Sequence, residues 1–225
     1  MSTGVIIPAL NGAATLPALL AEIRRLHPEF ALLVVDDGST DGTAGAARAA
    51  GAEVVSHPAN RGKGAALATG FAHALASDWA WAYTMDADGQ HLPAEMDRLL
   101  DAARGGGYDV VVGTRMTAPR GMPWIRKATN RFTSWVVSRL AGQRIPDSQC
   151  GYRLFRVGEL RSLRLHTTRF ETESEILVRL ARRGGRIGEA PISIVYAGES
   201  SAIHPWRDTV RFFRLVAALL RDREA

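Results

Sequence analysis

Short apolar runs alternate with helical patterns along the first 114 residues, and this alternation restricts the possible folds more than any other feature of the chain. The apolar runs predict five strands, at Val5–Pro8, Leu32–Asp36, Glu53–Ser56, Ala80–Met85 and Asp109–Gly113. The stretches between them have amphipathic or alanine-rich spacing and predict helices at Thr15–Leu26, Asp41–Ala50, Lys63–Ala76 and Pro93–Ala103. This order is typical of βαβ units around a mostly parallel sheet, whose ligands bind beyond the carboxyl ends of the strands.

After residue 114 the alternation gives way to longer helices. The pattern predicts helices at Met122–Leu140, Thr172–Arg183 and Pro205–Arg223, a short strand at Gly151–Arg156 and an extended segment at Ile187–Tyr196. No linker rich in Pro, Gly or Ser interrupts the chain, so we expect residues 1–225 to form a single α/β domain. In that domain the second half, residues 115–225, caps the sheet.

The composition narrows the class of protein. Of the 225 residues, 46% are apolar and 23% are charged, which is the balance of a soluble globular protein. The single cysteine, Cys150, excludes an internal disulfide framework and a cysteine-based zinc cluster. The apolar runs are shorter than the roughly 20 residues of a membrane-spanning helix, and the N-terminus is typical of a strand rather than a signal peptide. A cytoplasmic location is therefore expected.

Charge is divided unevenly between the two halves. Residues 1–114 carry 7 Lys or Arg against 13 Asp or Glu, a net of −6, whereas residues 115–186 carry 16 against 5, a net of +11. An acidic half joined to a basic segment predicts a cation site on one side and an anion site on the other. The basic segment contains no helix-turn-helix, zinc-finger or RNP pattern, so nucleic-acid binding is not expected.

Carboxylates follow two of the predicted strands. Asp36 and Asp37 end the second strand and could bind a base or ribose. Taken alone, such a pair is more typical of a turn that leads into a helix, and Asp41 is the residue expected to cap that helix. Asp86 and Asp88 follow the fourth strand and would point to the same side of an extended backbone. Two clustered carboxylates repel each other unless a cation neutralises them, and Mg²⁺ and Mn²⁺ prefer oxygen ligands.

A glycine-rich segment, Asn60–Gly64, precedes the third helix, so backbone N–H groups and two cations could face an anion there. The segment is not a Walker A loop, and Leu67 stands where the GxGxxG pattern requires its third glycine. The segment therefore does not indicate a P-loop NTPase or a dinucleotide-binding oxidoreductase.

Nine motifs in order resemble glycosyltransferase family 2. The first five are Val5–Gly12 (VIIPALNG), Val34–Thr43 (VVDDGSTDGT), Asn60–Ala66 (NRGKGAA), Asp86–His91 (DADGQH) and Gly113–Arg115 (GTR). The other four are similar to the branch that makes dolichyl- and polyprenyl-phosphate hexoses: Arg126–Arg131 (RKATNR), Asp147–Arg156 (DSQCGYRLFR), Arg169–Glu173 (RFETE) and Ile187–Ser200 (IGEAPISIVYAGES).

The resemblance implies a GT-A fold, with a Rossmann-like sheet flanked by helices. It also implies a metal-dependent, inverting transfer of a hexose from a nucleotide sugar, of the GDP-mannose or UDP-glucose type, to dolichyl or undecaprenyl phosphate. Residues 1–114 would bind the nucleotide sugar and residues 115–225 the acceptor. The protein would then work as a peripheral protein on the inner face of the cytoplasmic membrane.

The resemblance also implies roles for single residues. The nucleotide pocket would contain Pro8, Asn11, Asp36, Asp37 and Lys63. Asp86, Asp88 and Gln90 would hold Mg²⁺ or Mn²⁺ on the donor diphosphate, and Asp88 would serve catalysis through that ion. Arg115 and Arg131 would face the acceptor phosphate, while Asp147 and Gln149 would lie on the acceptor loop beside the donor.

Two alternatives stay open at this stage. With a hydroxyl acceptor, such as a glycolipid or small metabolite, Asp147 would have to act as a general base. A non-catalytic, nucleotide-binding protein at the membrane is the other alternative. It is motivated by the segment Glu199–His204, which contains no lysine although the family usually has one at this place.

The last predicted helix combines charge with apolar surface. At 100° per residue, one stripe contains Arg207, Arg211, Arg214 and Arg221, and apolar residues cover most of the remaining circumference. Such a helix can lie in a membrane interface, but packing on the sheet with its arginines in water is the favoured interpretation. Core packing is likewise favoured for the apolar residues of the preceding long helix, which are Trp124, Ile125, Phe132 and Trp135.

Overall fold

The computed structural model describes residues 2–115, 124–193 and 205–222. Its strands are β1 (Thr3–Ala9), β2 (Ala31–Asp36), β3 (Glu53–Ser56), β4 (Trp81–Thr84), β5 (Val110–Thr114), β6 (Arg153–Arg156) and β7 (Ile187–Pro191). Its helices are α1 (Leu16–Leu26), α2 (Thr43–Ala49), α3 (Lys63–Ala76), α4 (Met96–Gly106), α5 (Trp124–Ala141), α6 (Val157–Leu160), α7 (Thr172–Arg182) and α8 (Pro205–Arg221), and a 3₁₀ turn at Pro93–Glu95 precedes α4.

The strands form one seven-stranded sheet in the order β3-β2-β1-β4-β6-β5-β7. Strands β1, β2, β3 and β4 pair in parallel, and β5 pairs in parallel with β7. Strand β6 is inserted antiparallel between β4 and β5. The prediction of a mostly parallel α/β sheet is confirmed. The predicted extended segment forms β7 as far as Pro191, and its last residues, 194–196, lie outside the described part of the chain.

The core lies on both faces of the central strands. Val5, Ile6 and Ile7 of β1 are fully buried, as expected for a strand with helices on either side. Helix α1 covers one face with a stripe at helical spacing, formed by Leu16, Leu19, Leu20 and Ile23. The predicted strands and helices of the first half are therefore confirmed, apart from their ends.

Helix α2 begins two residues later than its sequence pattern predicts. Gly42 has a φ of 84°, in the left-handed region that favours glycine, so the helix cannot include it. Asp41 still serves the helix start, because its carboxylate accepts hydrogen bonds from the backbone N–H of Thr43 at 3.1 Å and of Ala13 at 3.1 Å. The predicted cap residue therefore also ties this turn to the loop after β1.

The apolar residues of α5 are not core residues, contrary to the favoured prediction. Trp124, Ile125, Phe132 and Trp135 are all exposed, and Trp124 reaches 77%. The face of α5 that packs inward is partly polar instead, because Asn130 and Ser134 are buried there beside Val137 and Ala141. Helix α5 thus differs from the usual amphipathic helix, because its large apolar side chains face outward and polar side chains face inward.

Helix α8 packs by a narrow face and leaves other apolar side chains outside. Phe212, Leu215 and Leu219 are buried, so the predicted packing is confirmed in part. The helix contacts α5, and the carbonyl of Leu219 accepts a hydrogen bond of 2.9 Å from Arg182 of α7. Trp206, Phe213 and Leu220 remain exposed, by 75%, 50% and 65%.

Candidate active site

The polar motifs meet at one edge of the sheet. Strands β2, β1 and β4 are adjacent and parallel, so the loops after Ala9, Asp36 and Thr84 leave the sheet on the same side. Strand β5 ends at this edge before Arg115, and β6 begins there because it runs antiparallel. The topology thereby brings together motifs that are more than 100 residues apart in sequence.

A mostly buried lysine lies between two carboxylates at this edge. Nζ of Lys63, the first residue of α3, is 2.5 Å from Oδ1 of Asp86 and 3.0 Å from Oε1 of Glu173. Burial alone would lower the pKa of Lys63, but these two carboxylates raise it above its usual value, so the ammonium stays charged. Burial alone would raise the pKa of Asp86, but Lys63 first, followed by His91 and Arg115, holds it below its usual range.

The backbone at the predicted metal residues differs from the extended form that the sequence suggests. Strand β4 ends at Thr84, and residues 87–89 form a turn in which Gly89 has a φ of 70°. Oδ1 of Asp88 accepts a hydrogen bond of 3.0 Å from the backbone N–H of Gln90. Asp86 and Asp88 therefore flank the start of a tight turn instead of alternating along a strand.

The donor atoms at this turn suit a hard divalent cation. Asp86, Asp88 and Gln90 offer two carboxylates and an amide oxygen, and all three side chains are partly accessible. Within residues 2–115, 124–193 and 205–222, no three His, Cys, Asp or Glu side chains form a metal cluster. A metal ion here would take its remaining ligands from a bound diphosphate and water, as Mg²⁺ commonly does.

Tight packing of backbone beneath Asp86 leaves no room for a further side chain. A Cβ added to Gly151 would lie 2.8 Å and 2.9 Å from the two carboxylate oxygens of Asp86 and 2.9 Å from Nζ of Lys63. Because Gly151 has no Cβ, the loop before β6 can approach the carboxylate closely. The residues present therefore fit a small oxygen-bound cation.

The second charged pair of the site joins Arg115 to Asp147. Nε and Nη2 of Arg115 each lie 2.7 Å from an oxygen of Asp147, and the backbone N–H of Arg115 donates to the same carboxylate at 3.2 Å. Asp147 is completely buried, whereas the side chain of Arg115 is 17% exposed. The carboxylate therefore fixes the plane of a guanidinium that stays accessible from the site.

Arg131 and Gln149 belong to the two segments that meet next to this pair, which are helix α5 and the loop before β6. Helix α5 packs on the loop before β6, because Oγ of Ser134 accepts a hydrogen bond of 2.9 Å from the backbone N–H of Ser148. Arg131 is exposed one turn earlier on α5 and lines a cavity of about 550 Å³ together with Trp135. Gln149 is partly buried, 3.4 Å from the hydroxyl of Ser174 in α7.

Comparison with known proteins supplies the family. The family model described as glycosyl transferase family 2 matches residues 4–164. The chain belongs to glycosyltransferase family 2. It is 34% identical over 202 residues to the undecaprenyl-phosphate mannosyltransferase of Micrococcus luteus, which covers 84% of this chain and 82% of that protein. It is 30% identical over 220 residues to the UDP-N-acetylglucosamine–dolichyl-phosphate N-acetylglucosaminyltransferase of Methanococcus voltae, covering 88% and 87% of the two chains.

Solved structures agree on the architecture. Glucosyl-3-phosphoglycerate synthase from Mycobacterium tuberculosis, in complex with Mn²⁺, UDP and phosphoglyceric acid, has a TM-score of 0.74 at 24% identity. The match covers 97% of this chain and 77% of that one. The GT-A fold that the sequence resemblance implies is therefore confirmed for this glycosyltransferase. Neighbours of this fold have been crystallised with Mn²⁺ or Mg²⁺.

Three predicted nucleotide residues of the transferase brace the loops after β1 and β2. Asn11 has a φ of 54°, and its Oδ1 accepts a hydrogen bond of 3.0 Å from the backbone N–H of Thr40. Oδ1 of Asp36 accepts one of 3.0 Å from the N–H of Ser39. Pro8 pairs with Val35 across β1 and β2. These contacts hold the edge at which a nucleotide would enter.

Asp37 is directed into the protein. Its carboxylate accepts hydrogen bonds from the backbone N–H groups of Arg61 at 2.9 Å and Gly62 at 2.7 Å. Oδ1 also lies 2.7 Å from Nδ1 of His57, whose Nε2 is 2.9 Å from the hydroxyl of Thr69. Asp37 therefore holds the loop that leads into Lys63.

Replacing Asp37 by Asn is expected to lower the free energy of unfolding by about 1–3 kcal/mol, because one amide oxygen cannot accept all three buried donors. Thermal unfolding followed by circular dichroism measures the loss. Thr69→Val, which removes only the outer contact of His57, is the comparison and should cost less. Equal melting temperatures for Asp37→Asn and the unchanged transferase would contradict this role.

Two residues that contact the candidate site were not predicted from the sequence. Glu173 lies inside a recognised motif, but only the fold shows that it shares Lys63 with Asp86. Arg153 is 1% exposed, and its guanidinium donates to the backbone carbonyls of Ser148, Cys150 and Glu173 at 2.7–2.9 Å. It thus joins the loop of Asp147 to the start of α7. An arginine inside an apolar strand was the available signal, since a buried charge requires partners.

Two buried groups beside the site are held neutral. Burial lowers the pKa of His91 to about 4, and its Nε2 lies 3.9 Å from Sγ of Cys150. Burial raises the pKa of the Cys150 thiol to about 12, so the thiol is not a nucleophile at neutral pH. Residues 199–204, where the family lysine is missing, lie outside the described residues.

Proposed function

We propose that this transferase moves a hexose from a nucleotide sugar, of the GDP-mannose or UDP-glucose type, to a polyprenyl phosphate. Transfer would invert the anomeric centre, depend on Mg²⁺ or Mn²⁺, and take place at the cytoplasmic face of the membrane. Two relatives support this acceptor class by their names. The relative from Micrococcus luteus is named for undecaprenyl phosphate, and the relative from Methanococcus voltae is named for dolichyl phosphate. The acceptor would be dolichyl or undecaprenyl phosphate.

The observation that carries the lipid acceptor is the distribution of exposed apolar side chains. Among residues 2–115, 124–193 and 205–222, eight large apolar side chains are exposed; seven of them lie on the two adjacent helices α5 and α8, and the eighth is Leu10. The seven, called the apolar face from here on, are Trp124, Ile125, Phe132, Trp135, Trp206, Phe213 and Leu220. Several large apolar side chains exposed on two adjacent helices are typical of a membrane or protein contact.

Charge on α8 favours a membrane as the partner of the apolar face. Trp206, Phe213 and Leu220 are spaced by seven residues and form one stripe along the helix. Arg207, Arg214 and Arg221 are each one position further and form a parallel cationic stripe, exposed throughout. An apolar stripe beside a cationic one binds the interface of an anionic bilayer. Such a helix would lie along the bilayer surface. None of the described helices is long and apolar enough to cross a membrane.

The apolar face is joined directly to the charged site. Helix α5 carries both the exposed Trp135 and the buried Ser134, which is bonded to Ser148 beside Asp147. A lipid phosphate carries a charge of about −1.5 to −2 near neutral pH, so it is already a nucleophile. It needs a cationic seat, which Arg115 and Arg131 would supply through guanidinium donors that suit phosphate oxygens.

The donor side would stabilise the leaving nucleoside diphosphate. Asp86, Asp88 and Gln90 would hold the metal ion, which as a Lewis acid absorbs negative charge on the diphosphate. Lys63 adds a fixed positive charge within the same cluster. The acidic first half would then meet the donor diphosphate through a metal ion, whereas the basic segment of residues 115–186 would meet the acceptor phosphate directly.

The Arg115–Asp147 pair counts against a hydroxyl acceptor. A hydroxyl nucleophile needs a base within hydrogen-bond reach. Both oxygens of Asp147 already accept hydrogen bonds from Arg115, and the residue is fully buried. Asp147 would have to leave this pair before it could accept a proton, whereas a phosphate acceptor needs no such step.

Sugar transfer from radiolabelled UDP-glucose, UDP-N-acetylglucosamine and GDP-mannose tests the function directly. The protein is incubated with Mn²⁺ and either undecaprenyl phosphate or undecaprenol, and organic-phase label is counted. We expect label in the organic phase with undecaprenyl phosphate but not with undecaprenol, and we expect EDTA to abolish it. Label transferred equally well to undecaprenol or diacylglycerol would favour the hydroxyl acceptor, and nucleotide binding without transfer in any mixture would favour a non-catalytic protein.

Changing Trp206, Phe213 and Leu220 together to Ser is expected to weaken binding to phosphatidylglycerol vesicles about 100-fold or more, since each buried apolar side chain contributes about 1.5–3 kcal/mol. Vesicle co-sedimentation measures the bound fraction. Leu10→Ser, at the exposed apolar residue away from α5 and α8, is the matched control and should bind as before. Unchanged vesicle binding by the triple variant would contradict a membrane role for α8.

A further inference from the structure

A mostly buried cation occupies the carboxylate that the proposed function assigns to a metal ion. Nζ of Lys63 contacts Oδ1 of Asp86 at 2.5 Å and Oε1 of Glu173 at 3.0 Å. The side chains are 16%, 28% and 8% exposed, so salt screens these pairs only weakly. One ammonium between two carboxylates leaves this cluster with a single net negative charge.

The ammonium and a divalent ion would compete for the same oxygens. Gly151 closes one side of the pair, because a Cβ there would come within 2.9 Å of Nζ and of both Asp86 oxygens. Two cations a few ångströms apart in a partly buried site repel each other by several kcal/mol at an effective dielectric constant of about 20. Lys63 therefore lowers the affinity of Asp86 for a metal ion that arrives without a compensating anion.

The start of α3 keeps the ammonium in this position. The backbone N–H of Ala65 donates to the carbonyl of Thr168 at 3.1 Å, which fixes the first turn of α3 against the segment before α7. Nζ of Lys63 also lies 5.9 Å from the ring centre of Phe170 in that segment. With Glu173 as a second anchor, the lysine is held at Asp86 from both sides.

We propose that Lys63 is a built-in counter-ion, which occupies Asp86 until a nucleoside diphosphate brings enough negative charge for two cations. This inference rests on the proposed metal-dependent function and adds an order of binding to it. The bare metal ion binds weakly, and the metal–nucleotide complex binds well. With the diphosphate present, the ammonium pairs with phosphate oxygens while Glu173 retains it, and Asp86 becomes available to the metal. Glu173 is then a positioning residue that acts through Lys63.

Binding of Mn²⁺ to the nucleotide-free protein tests the proposal without any turnover. The free Mn²⁺ signal in electron paramagnetic resonance gives the dissociation constant. Lys63→Met is expected to bind Mn²⁺ about tenfold more tightly than the unchanged protein, because a neighbouring opposite charge shifts the cation equilibrium of a carboxylate by about one to three log units. Lys63→Arg keeps the charge and is expected to bind as weakly as the unchanged protein.

Two further variants locate the effect. Lys127→Met makes the same change at the other lysine of the chain and is expected to leave the Mn²⁺ affinity unchanged. The gain of Lys63→Met is expected to disappear in the Lys63→Met/Asp86→Asn double variant, because the gained site includes Asp86. Circular dichroism checks that each variant is folded, and Lys63→Gln replaces Lys63→Met if the latter is not.

The outcomes separate this proposal from the function on which it rests. Equal Mn²⁺ affinities for folded Lys63→Met and the unchanged protein overturn the counter-ion proposal and leave the metal-dependent transferase intact. A gain that persists in the double variant also overturns it, since the ion would then bind elsewhere. If the unchanged protein binds no Mn²⁺ even with saturating UDP or GDP, the metal dependence fails and the counter-ion proposal fails with it.

Discussion

Asp88→Asn is expected to reduce sugar transfer about 10³-fold, the effect of losing several kcal/mol of transition-state stabilisation by a metal ion. The substitution removes one of the two carboxylates at the turn after β4 but leaves the Lys63–Asp86 pair in place. An amide oxygen binds a hard divalent ion far less strongly than a carboxylate does. The nucleoside diphosphate would then leave without a Lewis acid to absorb its charge.

Initial rates with saturating Mn²⁺, with increasing Mn²⁺ and with EDTA measure the effect. The variant should need more Mn²⁺ for half-maximal rate, and EDTA should bring the unchanged enzyme down to a similar residual rate. Asp101→Asn, the same change at an exposed carboxylate of α4, is the matched control and should transfer sugar normally. Full turnover by Asp88→Asn would remove the metal assignment, and with it the proposed role of Asp86.

The fold of the first half was predictable because periodicity reports which faces are buried. Strand β1 is apolar without a break from Val5 to Ala9 because helices cover both sides of it, and α1 repeats leucines at helical spacing because only one face is covered. Parallel strands then bring their carboxyl ends to one edge as a matter of topology. The meeting of Asp36 and Asp86 at that edge therefore follows from the strand order and needs no detailed packing.

The contacts within the site were less predictable, because they depend on which direction each side chain takes. Asp37 follows Asp36 directly, yet it turns inward to Gly62 and His57. Glu173 reaches Lys63 only because α7 packs against the start of α3. A pattern of residue types carries neither direction nor the pairing of distant segments. The antiparallel insertion of β6, which allows Arg153 to join two loops, is another such feature.

The apolar residues of α5 show a different limit of sequence analysis. Core residues and membrane-facing residues share the same physical property, because both are hydrophobic side chains whose transfer out of water is favourable. A sequence pattern therefore separates apolar from polar faces but does not say what covers the apolar one. Trp124 and Trp135 are apolar at helical spacing like core residues, and only the fold shows that they are exposed while Asn130 and Ser134 are buried.

Asp147→Asn is expected to lower kcat/KM for the polyprenyl phosphate about 100-fold, mainly through a higher acceptor KM. The change leaves the guanidinium of Arg115 with one acceptor oxygen where it has two, at distances of 2.7 Å. Because breaking a buried charged pair costs about 3–5 kcal/mol, part of this loss should also appear as a lower melting temperature. Nucleotide binding, measured as thermal stabilisation by UDP or GDP with Mn²⁺, should be retained, since the Lys63 cluster is untouched.

A general base would give a different result for the same variant. If Asp147 deprotonated a hydroxyl acceptor, Asp147→Asn would lower kcat at saturating acceptor and remove the acidic limb of the pH–rate profile. If Asp147 instead orients Arg115, the pH profile keeps its shape and Arg115→Lys, which lacks the planar fork, should produce a similar loss. The double variant should then be little worse than either single one, because residues that act as a unit lose their shared contribution only once. Additive losses would mean that the two residues act independently, so that Asp147 would not work by orienting the guanidinium of Arg115.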